Sequence, residues 1–283
     1  MGERSWYLTK QEIEQNSPSR IDGIDLKQET FQRWSYTTFL QELGQRLKNP
    51  QKSIWYSIVL CQRFFTRQSL AKNDGRTVAI ICMFIAGKVE GSPRSVGDVI
   101  AVGYRVLNDK EPSRQEYEKL KQTVLTGEKF VLSTLRFDLE IENPYDLVYD
   151  WVKRSVKVDR DANKLSQAAF NFVNDGLRSS LCLQFKARQI AAAAIFLGSS
   201  FVKVKLPWDG EKVWWREFNV TKRQLWEISN QTLDVYEQDF LVPVKQSKDD
   251  ETKTCHQGLE DHKGNVINVA DKSRNVVGYV TSV

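Results

Sequence analysis

Two stretches of this sequence are apolar on every side of the helix that they would form. The first covers residues 78–86 and the second residues 190–198, about 110 residues further along the chain. A helix without a polar face is stable only when neighbouring elements bury it all round. Each stretch therefore predicts the central helix of a bundle, and their spacing predicts two domain-sized bundles in tandem.

Amphipathic patterns predict further helices around both stretches. One predicted helix covers residues 29–48, and Asn49 with Pro50 predicts the N-cap and the first residue of the next helix. Ser113 and Glu116 have the spacing of a capping box, which opens another helix. The remaining predicted helices cover residues 77–90, 95–107, 113–135, 144–155, 161–179, 186–202 and 221–239. We therefore expect an all-α fold.

The helical part divides at a break in the pattern near Pro144. We expect a short N-terminal arm, a first bundle, a second bundle and a flexible C-terminal tail, at residues 1–28, 29–142, 143–243 and 244–283. Within the arm, the composition of residues 16–20 is typical of a turn. The tail starts with a charged run, and within it residues 276–280 have the composition of a short strand.

The composition excludes disorder throughout the chain and does not indicate a membrane protein. Of the 283 residues, 41% are hydrophobic, which is enough to fill two cores, and the apolar runs are too short to cross a bilayer. The 41 basic and 36 acidic residues are mixed along the chain. We therefore expect a soluble surface without a dedicated phosphate-binding face, and no primary role in nucleic-acid binding.

The sequence lacks the usual patterns of an enzyme. It has no glycine-rich phosphate loop, and its two histidines, His256 and His262, both lie in the predicted tail. Acid–base or triad chemistry that relies on histidine therefore has no residue in the bundles. Cys255 with these two histidines lacks a fourth metal ligand at a sensible spacing. We expect no catalytic residue, no metal and no cofactor.

One charged residue interrupts an apolar helix face. At about 100° per residue, the predicted helix 113–135 carries a single stripe, formed by Tyr117, Leu120, Val124, Val131 and Leu135. Glu128 lies within that stripe, where a carboxylate needs a partner. Lys88, at the end of the first apolar stretch, can be that partner if the two helices are neighbours. On the pattern alone, the simpler interpretation is that Lys88 extends to solvent and Glu128 marks an exposed turn.

These residues carry a resemblance to a known family. The segment FIAGKVE at residues 84–90, together with Glu128 nine residues before Phe137, resembles the cyclin box. Further segments are similar to the cyclin T and cyclin K group, most of all to a plant-type cyclin T: WYLT at residues 6–9, NSPSR at 16–20, GQRL at 44–47 and VWWRE at 213–217. The resemblance covers about residues 5–240.

The resemblance implies two tandem five-helix cyclin-box bundles and a regulatory role without catalysis. The implied partner is a cyclin-dependent protein kinase of the transcription-elongation class, bound in a nuclear heterodimer that phosphorylates the RNA polymerase II C-terminal domain. The cyclin would hold the kinase helix that carries the catalytic glutamate in its active position. Phe84 would supply apolar area to the kinase. The residues implied to bind the kinase are Lys88, Glu128, Phe84, Phe137 and Glu90.

The sequence also departs from the family pattern and leaves two other functions open. Gly91 stands where cyclin T proteins tend to have a second acidic residue, which keeps open a cyclin-like scaffold that activates no kinase. A transcription factor of the TFIIB type uses the same fold to bind DNA, but it would need a zinc ribbon and a basic face. The arginine-rich stretch of animal cyclin T is absent, so RNA binding through it is not implied.

Overall fold

The structure, a computed structural model, describes residues 6–209 and 212–238. The α-helices in these ranges are α1 (Lys10–Gln15), α2 (Pro18–Ile21), α3 (Leu26–Arg46), α4 (Gln51–Phe65), α5 (Gly75–Val89), α6 (Val96–Asn108), α7 (Arg114–Thr134), α8 (Pro144–Ser155), α9 (Asp159–Gly176), α10 (Leu181–Gln184), α11 (Ala187–Val202) and α12 (Lys222–Gln238). A two-residue antiparallel pairing, β1 (Trp208–Asp209) with β2 (Lys212–Val213), and a 3₁₀ helix (Trp214–Phe218) precede α12. The predicted all-α fold is confirmed. No helix in the described ranges has the length and apolar character needed to span a membrane.

Every helix that the apolar periodicity predicts is present. α8 begins and ends at the predicted residues, and the ends of the other predicted helices lie within three residues of the prediction. Ser113 and Glu116 form the reciprocal capping box at the start of α7. α1, α2, α10 and the 3₁₀ helix were not predicted, because each is too short to show a helical period. The strand predicted at residues 276–280 lies outside the described residues.

The prediction that Asn49 caps α4 is wrong. Pro50 occupies the N-cap position and makes no side-chain cap bond. The Asn49 amide group instead donates to Met83 Sδ at 3.2 Å, and its Oδ1 atom accepts from Arg94 Nε at 3.1 Å. A buried side-chain amide needs partners for both its donor and its acceptor, and only residues distant in sequence supply both here.

The N-terminal segment folds into short helices, and the prediction of a turn at residues 16–20 is wrong. α2 begins at Pro18 with Ser17 as its N-cap. The Ser17 hydroxyl also donates to Glu29 Oε2 at 2.7 Å, and the other oxygen of Glu29 is 3.2 Å from the Arg33 guanidinium. The buried carboxylate of Glu29 is thereby paired and hydrogen-bonded, as a buried charge must be.

The chain divides into two compact units. Among the described residues, the first unit comprises those up to Asn143 together with Leu177–Lys186, and the second comprises Pro144–Gly176 together with those from Ala187 to Gln238. α10 therefore belongs to the first unit, where it packs on α4. Gln62 of α4 donates from its amide to two backbone carbonyls of the segment before α10, at 2.8 and 3.0 Å.

α5 is the central helix of the first unit. α3, α4, α6 and α7 all pack against it, and every residue from Val78 to Gly87 is buried. Full burial of one large apolar side chain contributes about 1.5–3 kcal/mol. The packing is close where Gly44 of α3 lacks a side chain, because a Cβ atom there would overlap Cγ1 of Ile54 on α4. The central position predicted for the first apolar stretch is confirmed.

α11 has the same position in the second unit. α8, α9, α12 and the 3₁₀ helix pack against it. The residues from Ala191 to Ala194 are buried, and their small side chains let the neighbouring helices approach closely. Trp151 of α8 packs on Trp214 of the 3₁₀ helix with ring centroids 5.0 Å apart, which adds an aromatic layer to this core.

We expect Gly44→Ala to destabilise the first unit. The added methyl group would overlap Ile54, and overpacking of a core costs about 1–3 kcal/mol. The helix propensity of alanine offsets at most about 1 kcal/mol of this cost. Urea unfolding should show a lower midpoint for the variant than for the parent chain. As a control, Gly44→Ala combined with Ile54→Ala should lose less stability than the sum of the two single changes, and strict additivity would contradict the proposed overlap.

Candidate functional site

Lys88 and Glu128 form an ion pair at the edge of the first unit. Lys88 lies in the last turn of α5, and Glu128 lies in α7, which packs directly against α5. The Lys88 Nζ and Glu128 Oε1 atoms are 2.6 Å apart, with 46% of the lysine side chain and 20% of the glutamate side chain exposed. The interpretation that the two side chains turn separately to solvent is therefore wrong.

Close packing of α7 on α5 brings this pair together. Gly127 directly precedes Glu128, and a Cβ atom at Gly127 would overlap Cδ1 of Ile81 on α5. Val124 and Val131, about one turn to either side of Glu128, are buried. Apolar contacts therefore hold the two helices together. The ion pair lies at the rim of that contact, where solvent screening limits its own contribution to about 0–1 kcal/mol.

Phe84 supports Lys88 from within the chain. The Lys88 Nζ atom is 4.1 Å from the centroid of the Phe84 ring, one helical turn earlier in α5. Only 8% of Phe84 is exposed, so most of its ring is already buried within its own chain and little area is left for a partner. Most of the about 1.5–3 kcal/mol available from burying this ring already stabilises the core. The role of Phe84 at the surface is to orient the ammonium group through a cation–π contact.

Glu90 adds a second ion pair at the same helix end. It occupies the C-cap position of α5, and its Oε2 atom is 3.4 Å from Nζ of Lys52 in α4. Sequence reasoning missed Lys52, because an ion pair between two helices leaves no period or motif in the sequence. The end of α5 therefore presents two lysine–glutamate pairs, one toward α7 and one toward α4.

Gly91 ends α5 for a conformational reason. Its φ is +66°, in the left-handed region that other residues rarely adopt. The Ser92 N–H group then donates to the Gly87 carbonyl at 2.9 Å, which is the Schellman arrangement of a helix end. The residue that departs from the family pattern thus determines where α5 stops, just beyond Lys88.

Phe137 is the large apolar residue that the first unit exposes after α7. Its side chain is 64% exposed, and both Arg136 and Phe137 have a left-handed backbone with φ of 56°. This conformation costs about 1–2 kcal/mol for each non-glycine residue, so surrounding contacts must hold it. The Phe137 N–H group donates to the Leu132 carbonyl at 2.9 Å, and the Tyr56 hydroxyl donates to the Leu139 carbonyl.

Tyr56 connects the Phe137 corner with the end of α5. Burial raises the pKa of its phenol to about 12, and the carboxylates of Glu90 and Asp138 act in the same direction. The phenol therefore stays protonated and donates to the corner. Tyr56 lies one helical turn after Lys52, so α4 contacts both the end of α5 and the corner after α7. We group the exposed residues of these two places as one candidate surface and call it the docking edge; its residues are Lys88, Glu90, Glu128 and Phe137.

The docking edge has the chemistry of a binding surface. The Lys88 ammonium group has three donors, and Glu128 accepts from one of them. The Phe137 ring adds exposed apolar area. Among the residues that the structure describes, no group of three His, Cys, Asp or Glu side chains is placed to hold a metal ion. The tail residues weighed as metal ligands, Cys255, His256 and His262, lie outside the described residues.

The structure brings the five residues singled out in the sequence to one region, but it gives them different roles. Lys88 contacts both Glu128 and Phe84. Glu90 follows at the same helix end, and Phe137 lies in the corner to which Tyr56 donates. Nothing in the sequence indicated the bridging role of Tyr56, because it lies in a helix whose side chains are almost all buried.

Comparison with known proteins identifies similar sequences. Residues 3–140 match the family model described as "Cyclin, N-terminal domain". The putative cyclin-T1-1 of Arabidopsis thaliana is 71% identical over 240 residues, which cover 85% of this chain and 97% of that protein. Cyclin-T1-5 of the same plant is 56% identical over 254 residues, which cover 87% of this chain but only 43% of that longer protein.

A solved structure has the same fold. One chain of the crystal structure of the yeast RNA Pol II CTD kinase CTDK-1 complex superposes with a TM-score of 0.69, over 95% of this chain and 83% of that chain. The two sequences are 17% identical, so this likeness concerns the fold alone.

We expect Gly91→Ala to destabilise the end of α5. A left-handed backbone at an alanine costs about 1–2 kcal/mol. Nothing lies within 4 Å of the added Cβ atom, so backbone strain and not a clash is the cause. Urea unfolding should show the loss as a lower midpoint. Gly91→Asn is the matched control, because asparagine tolerates this conformation better; equal losses for the two variants would contradict the explanation.

Proposed function

The chain belongs to the cyclin T group of the cyclin family, and on that premise we propose that it binds and activates a cyclin-dependent kinase of the transcription machinery. Cyclins are regulatory subunits of protein kinases and not enzymes themselves, so the chemistry belongs to the partner. In this proposal the docking edge of the first unit is the surface that binds the kinase.

The Lys88–Glu128 pair is the observation that supports this proposal most directly. An ion pair at the rim of a helix contact adds about 0–1 kcal/mol to the stability of its own chain, so stability does not explain a carboxylate on the apolar stripe of α7. A partner backbone does explain it. The remaining donors of Lys88 can bind backbone carbonyls of the kinase, and Glu128 can accept from its N–H groups. Such charge-assisted bonds are strong once water is excluded.

Activation follows from where such a surface would hold the kinase. We propose that the docking edge packs beside the kinase helix that carries the catalytic glutamate and keeps that helix turned inward. The kinase lysine–glutamate ion pair and the metal-binding aspartate then take their active positions. Phe137 adds apolar area to this contact, and the two charged residues set its register. The cyclin thus supplies binding free energy, and the kinase performs the phosphoryl transfer.

The substrate and the location of the complex are further parts of the proposal. We propose that the complex phosphorylates the C-terminal domain of RNA polymerase II. The yeast complex that contains a chain with the same fold is named as a kinase of that domain, which supports the choice of substrate. A nuclear location would follow, because the polymerase acts in the nucleus.

The scaffold alternative rests on Gly91 in place of an acidic residue. The left-handed conformation gives that glycine a structural role at the end of α5, and the acidic side chain is still missing there. The DNA-binding alternative of the TFIIB type gains no specific observation from the described residues. A reconstituted kinase assay separates activator from scaffold, since a scaffold would bind the kinase and leave its activity unchanged.

We expect the double variant Lys88→Ala, Glu128→Ala to lose about 2–5 kcal/mol of association free energy with the kinase. The midpoint of urea unfolding should change little, because the pair lies at the solvent-accessible rim and both charges are removed together. Calorimetry with the purified catalytic subunit of a plant transcriptional cyclin-dependent kinase measures the first quantity, and phosphorylation of a C-terminal-domain peptide reports activation.

The matched control is the double variant Arg105→Ala, Glu111→Ala. It removes another exposed ion pair of the first unit, which lies at the end of α6. Kinase binding should be unchanged in this control. Normal binding and normal activation by the Lys88 and Glu128 variant would show that the kinase docks elsewhere.

We expect alanine substitutions of Phe137 and Phe84 to affect different quantities: the first should lower kinase affinity, and the second should lower stability. Phe137 has about two thirds of its surface still to bury, so Phe137→Ala should remove roughly 1–2 kcal/mol of kinase affinity and little stability. Phe84 is already in the core, so Phe84→Ala should remove about 3–5 kcal/mol of unfolding free energy. Calorimetry and urea unfolding on both variants test this. Unchanged kinase affinity of Phe137→Ala would exclude Phe137 from the interface.

A further inference from the structure

Trp6 connects the start of the described chain with the corner that presents Phe137. Its indole Nε1–H group donates to Asp138 Oδ2 at 2.7 Å. Asp138 directly follows Phe137, so this bond acts one residue from the exposed ring. The two bonded residues are 132 positions apart in the sequence, and the contact therefore depends on the tertiary fold.

Two arginines hold the indole ring in place. Arg63 in α4 and Arg67 just after it have their guanidinium carbons 5.1 and 4.6 Å from the ring centroid of Trp6. Arg63 is 5% exposed, and its NH1 group also donates to the Glu140 carbonyl at 3.2 Å. Arg63 therefore contacts both Trp6 and the chain just beyond the Phe137 corner. Cation–π contacts of this kind fix the plane of the ring, which aims its N–H group.

The corner needs support from outside its own backbone. α7 ends at Thr134, and the bonds that close its last turn run back into the helix. Two successive left-handed residues then turn the chain and leave Phe137 largely in solvent. Strained backbone of this kind persists only where surrounding contacts hold it. Three side chains supply those contacts from other parts of the first unit: Tyr56, Arg63 and Trp6.

We propose that Trp6 is a positioning residue for kinase binding: its bond to Asp138 sets the direction of Phe137 before the kinase arrives. This inference rests on the proposed function of the docking edge. An apolar side chain that is already ordered loses less conformational freedom on binding, which raises affinity. Trp6 then strengthens the complex through Phe137 and without contact of its own to the kinase.

The test distinguishes the effect of the Trp6 hydrogen bond from the effect of its aromatic ring. Trp6→Phe keeps an aromatic ring beside the two arginines and removes only the N–H donor. Asp138→Asn keeps an oxygen that can accept from Trp6 and should retain most of the parent behaviour. Trp226→Phe is the control for removing an indole N–H group elsewhere, because Trp226 lies in α12 of the second unit and is 47% exposed.

The first measurement needs no kinase. Hydrogen–deuterium exchange followed by mass spectrometry on the intact chain reports the opening of residues 136–140. We expect exchange in this segment to be about threefold faster or more in Trp6→Phe, since a charge-assisted bond is lost. Trp226→Phe should leave it unchanged, and Asp138→Asn should lie near the parent chain. Unchanged exchange in Trp6→Phe would overturn the inference.

The second measurement is a cycle of kinase affinities with the purified plant catalytic subunit. Trp6→Phe should raise Kd about threefold to tenfold, and this effect should vanish in the Phe137→Ala background. In the Lys88→Ala background the full effect should persist. If Trp6→Phe raised Kd equally in the Phe137→Ala background, Trp6 would act by another route. If Trp6→Phe lowered the unfolding midpoint and left Kd unchanged, the role of Trp6 would be purely structural. Either result overturns the inference.

These outcomes are distinguishable from a failure of the proposed function. If the Lys88 and Glu128 double variant binds the kinase normally, the docking edge itself is wrong. If that variant fails to bind while Trp6→Phe binds as tightly as the parent chain, the docking edge stands and only the role of Trp6 is wrong.

Discussion

The burial of α5 on every side is the constraint on which the first unit depends. Because four helices cover it from Val78 to Gly87, only its two ends reach the surface, and Lys88 is the first exposed residue after the buried stretch. Gly91 ends the helix a few residues later with a left-handed turn. The packing that stabilises the unit therefore also determines where its ammonium group is presented. α7 brings the carboxylate of Glu128 to the same place, because Gly127 lets the two helices approach.

The first unit separates the side chains that hold the fold from those that face outward. The Phe84 ring is buried in the core, whereas most of the Phe137 surface is exposed and can still be buried by a partner. Each buried apolar side chain contributes about 1.5–3 kcal/mol, while each ion pair at the rim contributes about 0–1 kcal/mol. Changes at the docking edge therefore cost little folding stability, which suits the proposed contact with a kinase. A regulatory subunit needs this separation, because its affinity can then be adjusted without loss of its structure.

The sequence predicted the long helices well and the connections between them poorly. A helix such as α7 shows its buried face and its capping box in the order of its residues, so pattern alone locates it. Asn49 behaved differently, because its best hydrogen-bond partners, Met83 and Arg94, come from distant parts of the chain. Ser17 likewise began a helix where a turn was expected, since Glu29 offered its hydroxyl a buried acceptor. Local rules fail where tertiary partners satisfy polar groups better.

The sequence by itself determined the two buried helices, the helical class and the family, and through the family it singled out Lys88 and Glu128. Those properties follow from the helical periodicity and from motifs of residues that are close in the sequence. Only the tertiary structure decided that the two charges meet, that Phe84 is covered while Phe137 is exposed, and that Trp6 reaches Asp138. The reason is physical. A helical period specifies which face is buried, but the neighbour that covers it depends on how helices far apart in the chain pack together.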